Sequence, residues 1–98
     1  MPTVSLTLIG RPGCHLCDAA REVVAAVRVE AEQRGIRTEV EELSILDDPA
    51  LARRHSEDIP VVLVNGRRHA IWRVDAGKLS RALEKAAKRP LLQFRREG

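Results

Sequence analysis

Arg11-Pro12-Gly13-Cys14-His15-Leu16-Cys17 holds both cysteines of the 98-residue chain, and its flanks decide the fold. Upstream, Thr3 to Ile9 alternates, with Val4, Leu6 and Leu8 to one side and Thr3, Ser5 and Thr7 to the other. Period two with β-branched residues predicts a strand. Gly10 to Gly13 then breaks it. Downstream, Cys17, Ala20, Val24, Val27 and Ala31 recur every three or four residues, the apolar stripe of a helix that Gly35 stops. The Cys-x-x-Cys pair therefore sits where a strand hands over to a helix.

That position has chemical consequences. Three residues of helix bring the second sulfur back beneath the first, close enough to join with little movement. The first cysteine stands where backbone N–H groups lack partners and the helix dipole is positive, which favours thiolate over thiol. Helix N-terminal cysteines of this kind have pKa values lowered to ~3.5–7.5. Arg11 and His15 add positive charge beside the same sulfur. Cys14 is predicted to attack, and the deeper Cys17 to resolve the product.

The rest of the chain supplies the scaffold. Ile36 to Leu43 is a weaker strand whose Glu39, Glu41 and Glu42 suit a sheet edge. Asp48 caps a short helix with Pro49 at its first position, running to about His55. Ile59-Pro60-Val61-Val62-Leu63-Val64 has the unbroken apolar pattern of a strand buried on both faces. Asn65-Gly66 is a hairpin signal, so Arg67 to Trp72 should return antiparallel. Asp75 reads as another N-cap before the stripe Leu79, Ala82, Leu83 and Ala86, with Pro90 ending that helix. The first strand–helix–strand stretch is long enough for a parallel crossover. The predicted architecture is an α/β sandwich, a four-stranded mixed sheet with about three helices, formed by residues 1–90; residues 91–98 have no assignment.

Together these features resemble the glutaredoxins of the thioredoxin superfamily. The resemblance rests on the segment Arg11 to Cys17 after a short strand, on Ile59-Pro60-Val61 as the loop with a cis-proline, and on Asn65-Gly66 as the following turn. It covers roughly residues 3–88 and is nearest to small bacterial glutaredoxin-like proteins without an assigned function. By position, it implies that Cys14 is the nucleophile and Cys17 the resolving thiol. It further implies that Arg11 contacts a glutathione carboxylate and that Ile59 pairs its backbone with substrate beside cis-Pro60. Asp75 falls at the helix cap near the glutathione amino group.

Two departures bear on the partner. His15-Leu16 replace the usual Pro-Tyr type of pair between the cysteines. Ile71 and Trp72 stand where glutaredoxins have two glycines before the capping Asp, so large side chains should crowd glutathione. The expected activity is dithiol reduction or exchange of disulfides, with no bound cofactor. The expected partners are a protein or small-molecule disulfide and an external donor, either a reductase or glutathione. A zinc site would need Cys14, Cys17 and two histidines, but His55 and His69 lack the close spacing of a second ligand pair. A glutathione-ligated iron–sulfur cluster meets the same obstruction at Ile71 and Trp72. A non-catalytic interaction module is the remaining rival. Trp72 is expected to pack in the core or at its rim, and His55 and His69 to lie on the surface.

Composition narrows the class further. Two cysteines do not make a secreted disulfide framework. No apolar run approaches the ~20 residues of a membrane span, and residues 1–9 lack a secretory signal pattern. A cytoplasmic single domain is expected. The net charge is +3, and residues 84–98 carry all of that excess through Lys85, Lys88, Arg89, Arg95 and Arg96. Trp72 and Phe94 are the only aromatic residues, too few to stack single-stranded bases.

Overall fold

The computed structural model describes residues 3–88. Its elements are β1 (Thr3–Gly10), α1 (His15–Gln33), β2 (Arg37–Ser44), α2 (Pro49–His55), β3 (Val61–Val64), β4 (Arg67–Ile71) and α3 (Ala76–Lys88). They build one four-stranded sheet in the order β2-β1-β3-β4. β1 pairs parallel with β2, and β3 runs antiparallel to both β1 and β4. The expected mixed sheet with three helices is what forms. Pro90 and residues 91–98 lie outside the described residues.

Local chemistry sets most boundaries. Asp48 accepts the Ala50 N–H at 2.9 Å, with Pro49 opening α2. Asp75 accepts the Lys78 N–H at 2.8 Å to start α3. Asn65 and Gly66 both take positive φ, 52° and 81°, as the two-residue turn between β3 and β4 requires. The Asn65 side chain also accepts the Ser5 N–H at 2.9 Å, tying the turn to β1.

The sheet has two unequal faces. On one, α1 and α3 cover Val4, Leu6, Leu8, Val62 and Val64, with Val24, Val27, Leu79 and Leu83 filling the layer between. On the other, Ile9, Ile45 and Val61 form a smaller core, against which Leu51 of α2 packs. That short helix explains the β1 pattern. Thr3 and Ser5 on the second face are exposed, whereas Ile9 near the same strand's end is 1% exposed. β2 carries its glutamates at the sheet edge, and Arg21 of α1 reaches Glu42 at 2.9 Å.

Candidate active site

Strand pairing gathers the site at one end of the sheet. β1 finishes at Gly10 beside Ser44, and its Ile9 pairs with Val61 at the start of β3. The segment that leaves β1 toward Cys14 and the Ile59-Pro60 segment that enters β3 therefore stand on neighbouring strands. β4 ends at the same place, because Ile71 pairs with Val61. The Trp72 N–H then donates to the Pro60 carbonyl at 2.8 Å. The Ile59-Pro60 peptide is cis, as the resemblance implies. No backbone hydrogen bond of the described turns and loops involves Ile59.

Cys14 is itself the N-cap of α1. It has extended φ and ψ, its carbonyl accepts the Asp18 N–H at 3.0 Å, and its Sγ accepts the Cys17 N–H at 3.2 Å. Sulfur occupies the role that a Ser or Asp oxygen usually takes. An anion there is favoured by the unpaired N–H groups and by the dipole. The Cys14 thiol is held below its ordinary value, first by a hydrogen bond from the Cys17 side chain, then by N–H groups of Cys17 and Leu16 and by Arg11, with partial burial opposing. Cys17 is 0% exposed. Its thiol is pushed up, chiefly by burial, and also by its bond to Cys14 and the charge there, with Arg11 opposing. Neither sulfur is in a disulfide.

The other residues singled out in the sequence are distributed unevenly. Arg11 is exposed and acts on both sulfurs. His15 is exposed on the first turn of α1 and is not among the groups that shift Cys14. Asp75 is exposed and commits one carboxylate oxygen to capping α3. Among the described residues, no three His, Cys, Asp or Glu side chains are grouped as a metal site needs.

Several expectations need correction. Ile71 does not crowd the site: it ends β4 and packs against the core of Ile9, Ile45 and Val61. Of the two large side chains Trp72 is the exposed one, at 53%, which excludes the core and leaves the rim. His55 and His69 are half-buried rather than superficial, and the buried His55 Nδ1 has no hydrogen-bond partner among the described residues. Trp72 also takes φ 68°, a left-handed conformation unusual for a bulky residue. Its indole N–H donates to the Glu57 carbonyl at 3.0 Å, which with the Pro60 bond pins it beside the cis-proline.

Gly10 has a role that no local signal in the sequence marks. It is the last, buried residue of β1 rather than the start of a break. A Cβ there would lie 2.8 Å from the Cys17 Sγ and 3.2 Å from its Cβ. The close approach of strand and helix that buries the second thiol thus depends on the missing side chain. Beside it, a cavity of about 310 Å³ is bordered by Gly10, Arg11, Cys17, Arg21, Glu42 and Asp47.

Comparison with known proteins agrees with this geometry. A family model described as "Glutaredoxin-like domain (DUF836)" matches residues 5–84. An uncharacterized protein of Mycobacterium tuberculosis is 29% identical over 79 residues, 81% of each chain. The solved structure of target protein XcR50 from X. campestris is 32% identical, with a TM-score of 0.65 over 82% of this chain and 96% of that one. Chloroplastic thioredoxin z, at 13% identity, matches with a TM-score of 0.69 over 88% of this chain and 80% of its own, a likeness of fold. The family model spans most of the chain, strand β1 and the capping Cys14 included, and the chain belongs to the glutaredoxin-like domain (DUF836) family.

Proposed function

We propose that the protein is a thiol–disulfide oxidoreductase working through the Cys14–Cys17 dithiol. The observation that carries this reading is the asymmetry of the two thiols: Cys14 at the helix cap is favoured as an anion, and Cys17 is buried and held protonated. The Cys14 thiolate attacks one sulfur of a target disulfide. A Cys14–target disulfide forms, the target S–S bond breaks, and the released thiolate takes a proton from solvent. Forming that bond removes the Cys14 charge and the hydrogen bond that had helped to keep Cys17 protonated. Cys17 then loses its proton and attacks Cys14 Sγ, giving the Cys14–Cys17 disulfide and the second target thiol. Two electrons pass from the dithiol to the target, and an external thiol donor restores the reduced pair.

The substrate docks alongside Ile59 as an added strand, a reading supported by the lack of a backbone hydrogen bond to Ile59 among the described turns and loops. We assign Arg11 and Asp75 to a peptide carboxylate and amine of the substrate, and exposed His15, next to Cys14, to contact with the incoming disulfide. The test is turnover of a protein disulfide such as insulin with dithiothreitol as donor. Acceleration over the donor alone supports the reading, and none overturns it.

Glutathione is disfavoured as the obligatory donor, because Trp72 stands where close backbone approach is needed. Trp72→Gly removes that wall and suits the positive φ, which costs an L-residue roughly 1–2 kcal/mol. It also forfeits the Glu57 anchor and adds chain entropy, so stability should change little. Glutathione should bind the variant about tenfold more tightly, ~1.4 kcal/mol, by calorimetry. An unchanged affinity would show that Trp72 is no barrier.

A further inference from the structure

Away from the cysteines, α3 and β4 concentrate positive charge, and Glu84, the one carboxylate within α3, is paired with Arg34 at the end of α1. Arg67 and Arg68 of β4 and Lys78, Arg81 and Lys85 of α3 line one cavity of about 470 Å³. The helical residues are spaced to share one stripe. On the strand, a register shift leaves His69 with no partner on β3, and it borders the same cavity. Val64, Ala82 and Ala86 supply apolar lining, and among the described residues no carboxylate lines it. None of the five cations is in an ion pair among the described residues. His69 is held below its ordinary value, by burial first and then by Lys78, as expected where positive charge is uncompensated. General basicity does not explain the cluster, because the chain's net charge is only +3 and its acidic run lies on β2, at the opposite sheet edge.

We propose that this cavity binds a small molecule carrying two or more phosphate groups. Arginine guanidinium groups match phosphate oxygens in pairs, and lysines add point charges. Two phosphate groups together supply about −3 to −4, enough to offset most of the five cations. The volume falls within the ~300–1,000 Å³ of small-ligand sites. Among the described residues the one ring that borders the cavity is that of His69, short of the successive stacking surfaces on which single-stranded nucleic acids are held. The site shares no residue with Cys14, Cys17, Ile59, Pro60 or Trp72, and it stands whether or not the redox reading does.

The test is calorimetric titration of the reduced full chain at physiological ionic strength. Inorganic pyrophosphate, citrate and a short single-stranded RNA are the probes. Saturable one-to-one binding of pyrophosphate is expected, weakened about tenfold or more in each of Arg68→Gln and Arg81→Gln. Without ligand, both variants should melt no lower than the parent chain, because repulsion among the cations is relieved. Cys14 alkylation should keep its rate and so report an intact fold. If Arg81→Gln fails to fold, Lys78→Gln takes its place. Absence of saturable binding, an affinity indifferent to these substitutions, or citrate or RNA binding at least as tightly as pyrophosphate would overturn the proposal.

Discussion

Cys14→Ser is expected to lower disulfide reduction by at least about 10³-fold, to the background of the assay. A serine hydroxyl retains the cap geometry, so the fold should survive the change and the loss should be chemical. Its oxygen can accept the Cys17 N–H as the sulfur does, but it is not an anion near neutral pH. Cys17 is 0% exposed and its thiol is pushed up by burial, so it cannot substitute as the attacking group. Cys17→Ser should fail differently. Its first step remains intact, and the Cys14–target disulfide should accumulate as a covalent adduct visible by intact mass. A Cys14→Ser protein that still turns over insulin at the parent rate would remove Cys14 from the mechanism. An adduct that forms equally in both variants would do the same.

Gly10→Ala should produce the second-largest effect, although residue 10 carries no reactive group. The new Cβ would meet the Cys17 Sγ at 2.8 Å, closer than unbonded atoms tolerate, and the Cys17 Cβ at 3.2 Å, so turning the thiol toward the adjoining cavity relieves only part of the clash. Overpacking of this kind costs ~1–3 kcal/mol, and in a domain of this size each kcal/mol lowers Tm by roughly 4–8 °C. The displaced sulfur should also resolve the mixed disulfide slowly, so the intermediate should persist as it does in Cys17→Ser. Gly66→Ala is the control. Gly66 has φ 81° with open space around its Cβ position, so it should lose stability without a change in disulfide exchange. A Gly10→Ala protein with the parent Tm and turnover would mean that strand and helix do not depend on this contact.

The contrast between these glycines shows what was legible in the sequence. Gly66 was readable because a two-residue turn is local chemistry, and so were the caps at Asp48 and Asp75. The Val61–Val64 run identified a central strand because covering both faces leaves no polar positions. The Cys-x-x-Cys spacing located the site for a similar reason: cap, dipole and one helical turn are all set within four residues. Gly10 was less legible because its role depends on a side chain seven residues later, across the packing of β1 against α1. Ile71 and Trp72 looked like a matched pair of obstructions. The end of β4 falls between them, packing a half-buried Ile71 against the core and leaving Trp72 pinned by the carbonyls of Glu57 and Pro60. His55 and His69 read as surface residues in the sequence because nothing local marks the half-buried places where α2 and β4 put them.

The ionisation of the two thiols separates the reading from its rivals most directly. An inert pair, or an interaction module without turnover, has no need for one sulfur to be anionic and the other protected. Alkylation of the fully reduced protein by iodoacetamide across a pH series, with each cysteine followed by peptide mass, measures both at once. Cys14 should react first, with its midpoint below that of an ordinary thiol, and Cys17 should remain unlabelled until well above it. A Cys14 midpoint at or above that of free cysteine, or Cys17 labelled first, would contradict the assignment of Cys14 as the nucleophile.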